Sequence, residues 1–287
     1  MAQKKGFYRE LGLAVEFRDG GPNEYSWETL AKGEVDLSSM FLATDIRQRA
    51  QGVRLLNVAQ IVRHSAFLLL ARKTSGVRRL EDLADKRVAV WSDEFGLPNV
   101  AYFKKAGVSP RLITQPPTMS LFLWGAVDAA SVMSYNEIHQ LYDAGIDADE
   151  LTVFPLKDLG FDFAEDGIYC MEELFAKEPG QVCDFVQASL RGWQYAFDHP
   201  DETPEIVMQL IRDRRIPNSV VHQRWMLNQL KSLILGHGNE PPLGTLDHAA
   251  FDSVAQALKT VGLITRVPEM AEFIRVCQAA AGPTEGR

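Results

Sequence analysis

Short apolar runs alternate with helical patterns through the first half of the chain. The runs at 66–71 (AFLLLA) and 87–91 (RVAVW) have strand length, and the segment 97–107 (LPNVAYFKKAG) between strands has helical spacing. The segment 13–17 (LAVEF) alternates apolar and polar residues, which also predicts a strand. This β-α-β-α order predicts an α/β fold with mostly parallel sheets and helices on both faces.

The pattern becomes helical after about residue 170. Residues 180–198 form the clearest amphipathic helix, and further helices are predicted near 203–213, 218–235, 247–261 and 268–279. The fold class is therefore α/β with a helical C-terminal part. The apolar positions of the amphipathic helix, predicted to be core, are Val182, Phe185, Val186, Leu190, Trp193 and Phe197.

Composition excludes several classes of protein. The chain has 287 residues and a net charge of −8, which argues against nucleic acid or an anionic membrane as main partner. Three distant cysteines predict no disulfide framework, and six scattered histidines predict no metal site. The N-terminal MAQKKGFYRELGL lacks an apolar segment typical of a secretory signal, so a cytosolic protein, or a chain without its signal, is expected from this segment.

Five segments in order resemble a known family. They are KGFYRELGLAVEFRDGG, LAKGEVDLSSM, LEDLADKRVAVW, FLWGAVDAASVMSYNE and FVQASLRGWQYAFDHPDE. Together they resemble the ABC-importer solute-binding proteins that bind pyrimidine precursors of thiamine, with alkanesulfonate- and nitrate-binding proteins and fungal thiamine-pyrimidine synthases as relatives. The resemblance covers nearly the whole chain.

This resemblance implies a two-lobed periplasmic-binding-protein (type II) clamshell that closes on its ligand by a hinge. Lobe I would comprise residues 1–82 and 160–287, and lobe II residues 83–159. The implied protein is a monomer without cofactor or metal. It binds a small molecule, delivers it to an ABC permease in the membrane, and works outside the cytoplasm.

Three polar residues follow the predicted strand 129–133. Ligands in open α/β sheets sit outside the carboxyl ends of strands, and Tyr135, Asn136 and Glu137 lie at such an end. For the implied aminopyrimidine, Tyr135 would stack, Glu137 would accept the exocyclic N–H and Asn136 would satisfy ring nitrogens. The alternative is that Asn136 and Glu137 are ordinary first-turn helix residues.

Two further turns are candidates for the cleft. The resemblance places the turn after strand 87–91 there, with Trp91, Glu94 and Phe95 as ligand contacts; a core tryptophan and a capped turn are the alternative. Ser38 and Ser39 precede a predicted helix, and either hold a polar ligand group with the helix N–H groups or simply cap the helix.

Three more polar positions lie near the predicted crossings between the lobes. His64 is a candidate ligand contact, although a lone histidine is more often structural. Glu165 and Asp166 fall in DFAEDG, where solvated turn acids are favoured over cleft residues.

Four functions remain open on the sequence. A solute-binding protein for a neutral or weakly cationic heterocycle is favoured over a sulfonate or nitrate binder, because an anion needs arginine or N–H donors and Arg63 is the one arginine at a predicted strand end. The synthases consume their own histidine and need iron held near a cysteine-rich cluster, whereas GFDFAEDGIYC contains Cys170 alone. A cytosolic sensor domain is the fourth possibility.

Overall fold

The computed structural model describes residues 1–21, 24–236, 238 and 240–277, and for Asp93 and Glu94 the backbone alone. Two sheets with helices packed around them make up the fold. The strands in these ranges are β1 (Leu37–Phe41), β2 (Leu55–Gln60), β3 (Phe67–Arg72), β4 (Arg87–Val90), β5 (Arg111–Thr114), β6 (Ala129–Met133), β7 (Leu151–Pro155) and β8 (Asp166–Met171).

Helices connect the strands and make up most of the described chain after β8, as predicted. The α-helices in the described ranges are α1 (Ala2–Lys5), α2 (Phe7–Glu10), α3 (Ser26–Ala31), α4 (Leu42–Ala50), α5 (Leu97–Ala106), α6 (Ser120–Leu123), α7 (Glu137–Asp143), α8 (Glu172–Lys177), α9 (Pro179–Asp198), α10 (Glu202–Asp213), α11 (Val220–Leu235), α12 (His248–Val261) and α13 (Met270–Phe273). Short 3-10 turns cover Lys73–Ser75, Leu80–Leu83, Asp93–Gly96, Ala148–Glu150 and Leu156–Leu159.

The small sheet contains β1, β8 and β2, with β8 in the centre. Both pairings are antiparallel: Leu37 lies opposite Cys170, and Leu55 lies opposite Met171. The prediction of a mostly parallel sheet is therefore wrong for this part of the fold. The central strand comes from a distant part of the chain, so the local β-α-β rhythm did not determine its direction.

The large sheet has the order β5-β4-β6-β3-β7. Strand β4 pairs in parallel with β5 and β6, whereas β3 is antiparallel to both β6 and β7. The predicted boundary at residue 83 put β3 in lobe I, but its strand partners belong to the large sheet. We therefore propose that lobe II begins just before Phe67. Asn99 of α5 donates a buried hydrogen bond to Ser131 Oγ of β6 at 2.8 Å.

Helices of the C-terminal part join the two sheets. The buried face of α12 includes Phe251, Val254 and Leu258, and this helix contacts α4 on the small-sheet side and α5 on the large-sheet side. Helix α11 contacts α9 and α10 and also α7, which follows β6. No helix of the described ranges is long and apolar enough to cross a membrane.

Other local predictions are wrong. Residues 13–17 form no strand, and the predicted helix at 268–279 shrinks to α13, with residues 278–279 outside the described part. Ser38 and Ser39 lie within β1, and the residue that precedes α4 is Phe41, with no side-chain cap. Cys183 and Cys277 form a disulfide with Cα atoms 5.1 Å apart, where the sequence predicted no disulfide framework.

Candidate functional site

Four aromatic rings meet where the two sheets face each other. Phe41 ends β1, Phe67 begins β3, Trp91 follows β4 and Phe95 lies in the next turn. The ring centroid of Phe41 is 4.8 Å from that of Phe95 and 6.0 Å from that of Phe67, which is 5.9 Å from Trp91. We call these four residues the aromatic cluster. Such rings provide flat apolar faces on which a planar ligand can stack.

A small gap of about 10 Å³ lies beside this cluster, which is room for about one water molecule. Glu165 lines the gap, and its side chain is almost fully buried at 1% exposure. The solvated-turn interpretation of Glu165 is therefore wrong. The other lining residues are Phe41, Ala43, Phe67, Leu97, Pro98, Phe163, Ala164 and Val254.

The two oxygens of the Glu165 carboxyl group have different surroundings. Oε1 accepts hydrogen bonds from the Ala66 backbone N–H at 2.6 Å and from Ser65 Oγ at 3.2 Å. Oε2 is buried and has no hydrogen-bond partner among the described residues. A buried polar atom without a partner costs free energy, so a polar ligand group that reached Oε2 would be stabilised there.

Burial raises the pKa of Glu165 well above its usual value, against the opposing effect of the Ala66 hydrogen bond. Burial therefore favours the protonated form of this carboxyl group. Because Oε1 already accepts two hydrogen bonds, the proton belongs on Oε2. The gap is thus lined by aromatic and aliphatic carbon and by the single carboxyl group of Glu165.

Tyr135 lies close to this carboxyl group. Burial raises the pKa of its phenol well above the usual value, and the nearby acidic groups of Glu165 and Asp166 raise it further. Burial also raises the pKa of Asp166 to about 6. Burial therefore favours the neutral hydroxyl form of Tyr135.

Glu137 and Asn136 hydrogen-bond to the protein itself. Glu137 Oε2 accepts from the Met133 backbone N–H at 2.8 Å, and Glu137 Oε1 accepts from Asn136 Nδ2 at 2.7 Å. Burial raises the pKa of Glu137, while these hydrogen bonds lower it. This geometry matches the alternative interpretation, in which both residues hold the start of α7.

Of the remaining residues predicted to contact the ligand, two lie in the aromatic cluster and the others lie elsewhere. Trp91 and Phe95 are in the aromatic cluster, and Phe95 is 46% exposed. The backbone of Glu94 lies in the same turn, and its side chain is outside the described part. Ser38 Oγ donates to the Ser39 carbonyl at 3.3 Å, so both serines are part of β1 and neither caps a helix.

His64 lies at a second, polar cavity of about 270 Å³. Its Nδ1 is 2.8 Å from Asp162 Oδ2, and its Nε2 is 3.2 Å from Glu240 Oε1. Arg63, beside it, donates from Nε to the Ile234 carbonyl at 2.8 Å. His64 is therefore held between two carboxylates, and Ala164 lines both this cavity and the gap beside the aromatic cluster.

These carboxylates make stability depend on pH. The Asp162 hydrogen bond is the largest effect that raises the pKa of His64, and His64 helps to lower the pKa of Asp162. A raised histidine pKa gives stability that is complete below the unfolded value of about 6.5 and is lost as pH rises through the folded value. We expect His64→Gln to lower the melting temperature more at pH 5.5 than at pH 9.

Thermal unfolding of wild type and His64→Gln across this pH range checks the prediction. His248→Gln is the matched control, since His248 is exposed on α12. An equal loss at both pH values would show that the ring acts by packing alone.

The sequence favoured a solvated turn for Glu165 over a place in the cleft, and it missed Phe41 and Phe67 as site residues. Phe41 and Phe67 looked like ordinary strand residues, and Glu165 looked like part of an acidic turn. The available signal was position, since Phe41 is the last residue of β1 and Glu165 immediately precedes β8.

The chain is similar to several known proteins. Riboflavin-binding protein RibY from Chloroflexus aurantiacus is 23% identical over 283 residues, covering 92% of this chain and 77% of the relative. A 4-amino-5-hydroxymethyl-2-methylpyrimidine phosphate synthase from Legionella pneumophila is 22% identical over 223 residues, covering 76% and 70%. The alkanesulfonate-binding protein SsuA from Xanthomonas axonopodis superposes with a TM-score of 0.69 at 16% identity, covering 96% and 92%.

These structural neighbours confirm the predicted periplasmic-binding-protein fold, in the form seen in sulfonate-binding proteins of ABC importers. A family model described as NMT1/THI5 like matches residues 1–203. The chain therefore belongs to the NMT1/THI5-like family.

Proposed function

We propose that this protein is the non-catalytic solute-binding component of an ABC importer, and that it captures a flat nitrogen heterocycle in the aromatic cluster. The observation that carries the proposal is Glu165 Oε2, a buried oxygen without a partner in the described structure, at the gap beside Phe41 and Phe67. The rings would stack on the ligand, and Oε2 would donate its proton to a ring nitrogen.

Two relatives support this ligand class by their names. One is named for riboflavin and the other for an aminopyrimidine phosphate, and both names denote flat nitrogen-containing rings. A pyrimidine precursor of thiamine fits the same chemistry. Trp91, Phe95 and Tyr135 are its proposed contacts besides Glu165.

A sulfonate or nitrate binder is the alternative that the structural neighbours favour. Such an anion needs arginine or several N–H donors. Arg63 donates to the carbonyls of Ile234 and Pro241, so these donors serve the protein itself. The single donor of the Glu165 carboxyl group and the four rings of the aromatic cluster suit a heterocycle better than a sulfonate.

A synthase is a second alternative, because a relative carries that name. The segment 160–171 contains Cys170 alone, and burial raises the pKa of its thiol to about 12. A protonated, buried thiol is a poor metal ligand. Consumption of His64 in the presence of iron would support the synthase instead.

The proposed setting is outside the cytoplasm, with a membrane permease as partner and the protein as a monomer. The Cys183–Cys277 disulfide supports this setting, since disulfides persist in oxidising compartments. In a cytosolic sensor, the two cysteines would instead be kept reduced.

Ligand entry requires movement. The gap of about 10 Å³ is far smaller than a heterocycle, so the aromatic rings of the two sheets must separate before a ligand enters. The chain crosses between the sheets before β3 and again between β7 and β8, and these connections are the proposed hinge.

Glu165→Gln tests the role of the carboxyl group. An amide keeps an acceptor for the Ala66 N–H and offers an N–H in place of the Oε2 proton, so we expect ligand affinity to stay within a few-fold. Glu165→Met removes the donor and is expected to weaken binding about tenfold or more. Titration calorimetry with hydroxymethyl-aminopyrimidine, formylaminomethyl-aminopyrimidine, riboflavin, taurine and nitrate measures both effects.

The outcomes separate the alternatives. Wild-type affinity in Glu165→Met would place the ligand elsewhere. Loss of binding in Glu165→Gln would mean that the carboxyl group acts as an ionised acceptor. If only taurine or nitrate binds, the ligand of this protein is an anion and not a heterocycle.

A further inference from the structure

Two buried histidines and a carboxylate converge where α7 meets α11. His139 and Asp143 lie one turn apart on α7, and His222 lies in the first turn of α11. His139 Nδ1 is 3.0 Å from His222 Nδ1 and 3.3 Å from Asp143 Oδ2. One donor atom from each residue lies within 4.8 Å of the other two.

The surrounding hydrogen bonds fix the state of His222. The Asn136 amide is oriented because its Nδ2 donates to the Glu137 carboxyl group, and this leaves Asn136 Oδ1 as an acceptor. His222 Nε2 is 3.1 Å from that oxygen and so carries the proton. In the neutral ring the lone pair is then on Nδ1, directed at His139.

This arrangement leaves acceptors facing each other. His222 Nδ1 and Asp143 Oδ2 both compete for a single proton on His139 Nδ1, so one hydrogen bond must serve two acceptors. A cation at the centre would satisfy all three atoms at once. The Nε2 contact to Asn136 is the kind of outer hydrogen bond that orients metal-binding histidines.

We propose that His139, Asp143 and His222 form a binding site for Zn²⁺. Tetrahedral zinc with bonds of about 2.0–2.1 Å to histidine nitrogen separates its ligand atoms by about 3.3 Å, and the observed separations of 3.0 and 3.3 Å match this spacing. The side chain of Asp143 is 55% exposed, which gives the ion a path from solvent and leaves a fourth position for water.

The ion would connect the two halves of the fold. Helix α7 follows the large-sheet strand β6, whereas α11 packs on α9 and α10. Trp225 of α11 already donates to the Ser134 carbonyl at 2.9 Å across this junction, and its ring lies 5.1 Å from that of His139. Zinc bound here would hold α11 against α7.

The test uses the full chain stripped of metal with a chelator and titrated with Zn²⁺ alone. Equilibrium dialysis is expected to give one tightly bound Zn²⁺ per chain, and Co²⁺ in its place is expected to show the visible bands of four-coordinate nitrogen and oxygen ligation. His222→Gln and Asp143→Asn should each weaken Zn²⁺ binding more than tenfold. Asn136→Ala, which keeps all three ligands, should weaken it about 10–100-fold.

His248→Gln removes an exposed histidine elsewhere and should leave Zn²⁺ affinity unchanged. Asp143 is exposed, so its amide variant tests the site without disturbing the core. The proposal is overturned if wild type binds no more Zn²⁺ than a His139→Gln/His222→Gln variant, or if Asp143→Asn binds as wild type does.

Discussion

Reduction of the Cys183–Cys277 disulfide is expected to lower the free energy of unfolding by about 4 kcal/mol. The two cysteines are separated by 94 positions, and the bond ties the segment after α13 to α9. Closing so long a loop removes many conformations from the unfolded chain, and this entropy is regained when the bond is broken.

Denaturant unfolding with and without a phosphine reductant measures this loss. The Cys183→Ala/Cys277→Ala variant is the control, since reductant should not shift its midpoint. If the reductant leaves the wild-type midpoint unchanged, the disulfide is absent or contributes nothing to stability. Thiol titration of the unfolded chain should give one free thiol before reduction and three afterwards.

Phe67→Ala is expected to destabilise the protein by about 3–5 kcal/mol. The Phe67 ring is only 1% exposed and contacts both Phe41 and Trp91 edge to face, so its loss opens a cavity at the junction of the two sheets. Denaturant unfolding monitored by circular dichroism gives the change directly.

Phe95→Ala is the matched comparison within the same aromatic cluster. Phe95 is 46% exposed, so its truncation should change stability by less than about 1 kcal/mol. Its loss should still weaken heterocycle binding about two- to tenfold, because stacking contributes about 0.5–1.5 kcal/mol. Equal destabilisation by both variants would show that the rings form an ordinary core with no ligand face.

Local pattern predicted most elements of this fold. Three predicted elements agree with the structure to within one or two residues: the run at 66–71 with β3, the run at 87–91 with β4, and the helix at 180–198 with α9. They agree because apolar periodicity reports burial directly. Residues 13–17 alternate like a strand but have no strand partner, so the pattern alone did not suffice.

The candidate site was harder to predict because long-range contacts build it. Glu165 reads as a turn acid in its local sequence, and residues from distant elements, among them Phe41, Leu97 and Val254, surround it in the folded chain. His139 and Asp143 show helical spacing, but His222 lies in another helix and joins them only in the folded chain. Glu137 lies at the start of the helix after β6, as predicted, and its hydrogen-bond partners are groups of the same turn.

The central position of β8 sets an order for folding. Every strand of the large sheet lies between β1 and β8 in the chain, so that sheet can form from one continuous segment. In the small sheet, β1 and β2 each pair with β8, so neither has its strand partner until β8 has been synthesised and inserted between them. During synthesis, β1 and β2 are therefore expected to lack strand partners while the large sheet can already form, and the non-local pairing of β8 is expected to be a slow, late step.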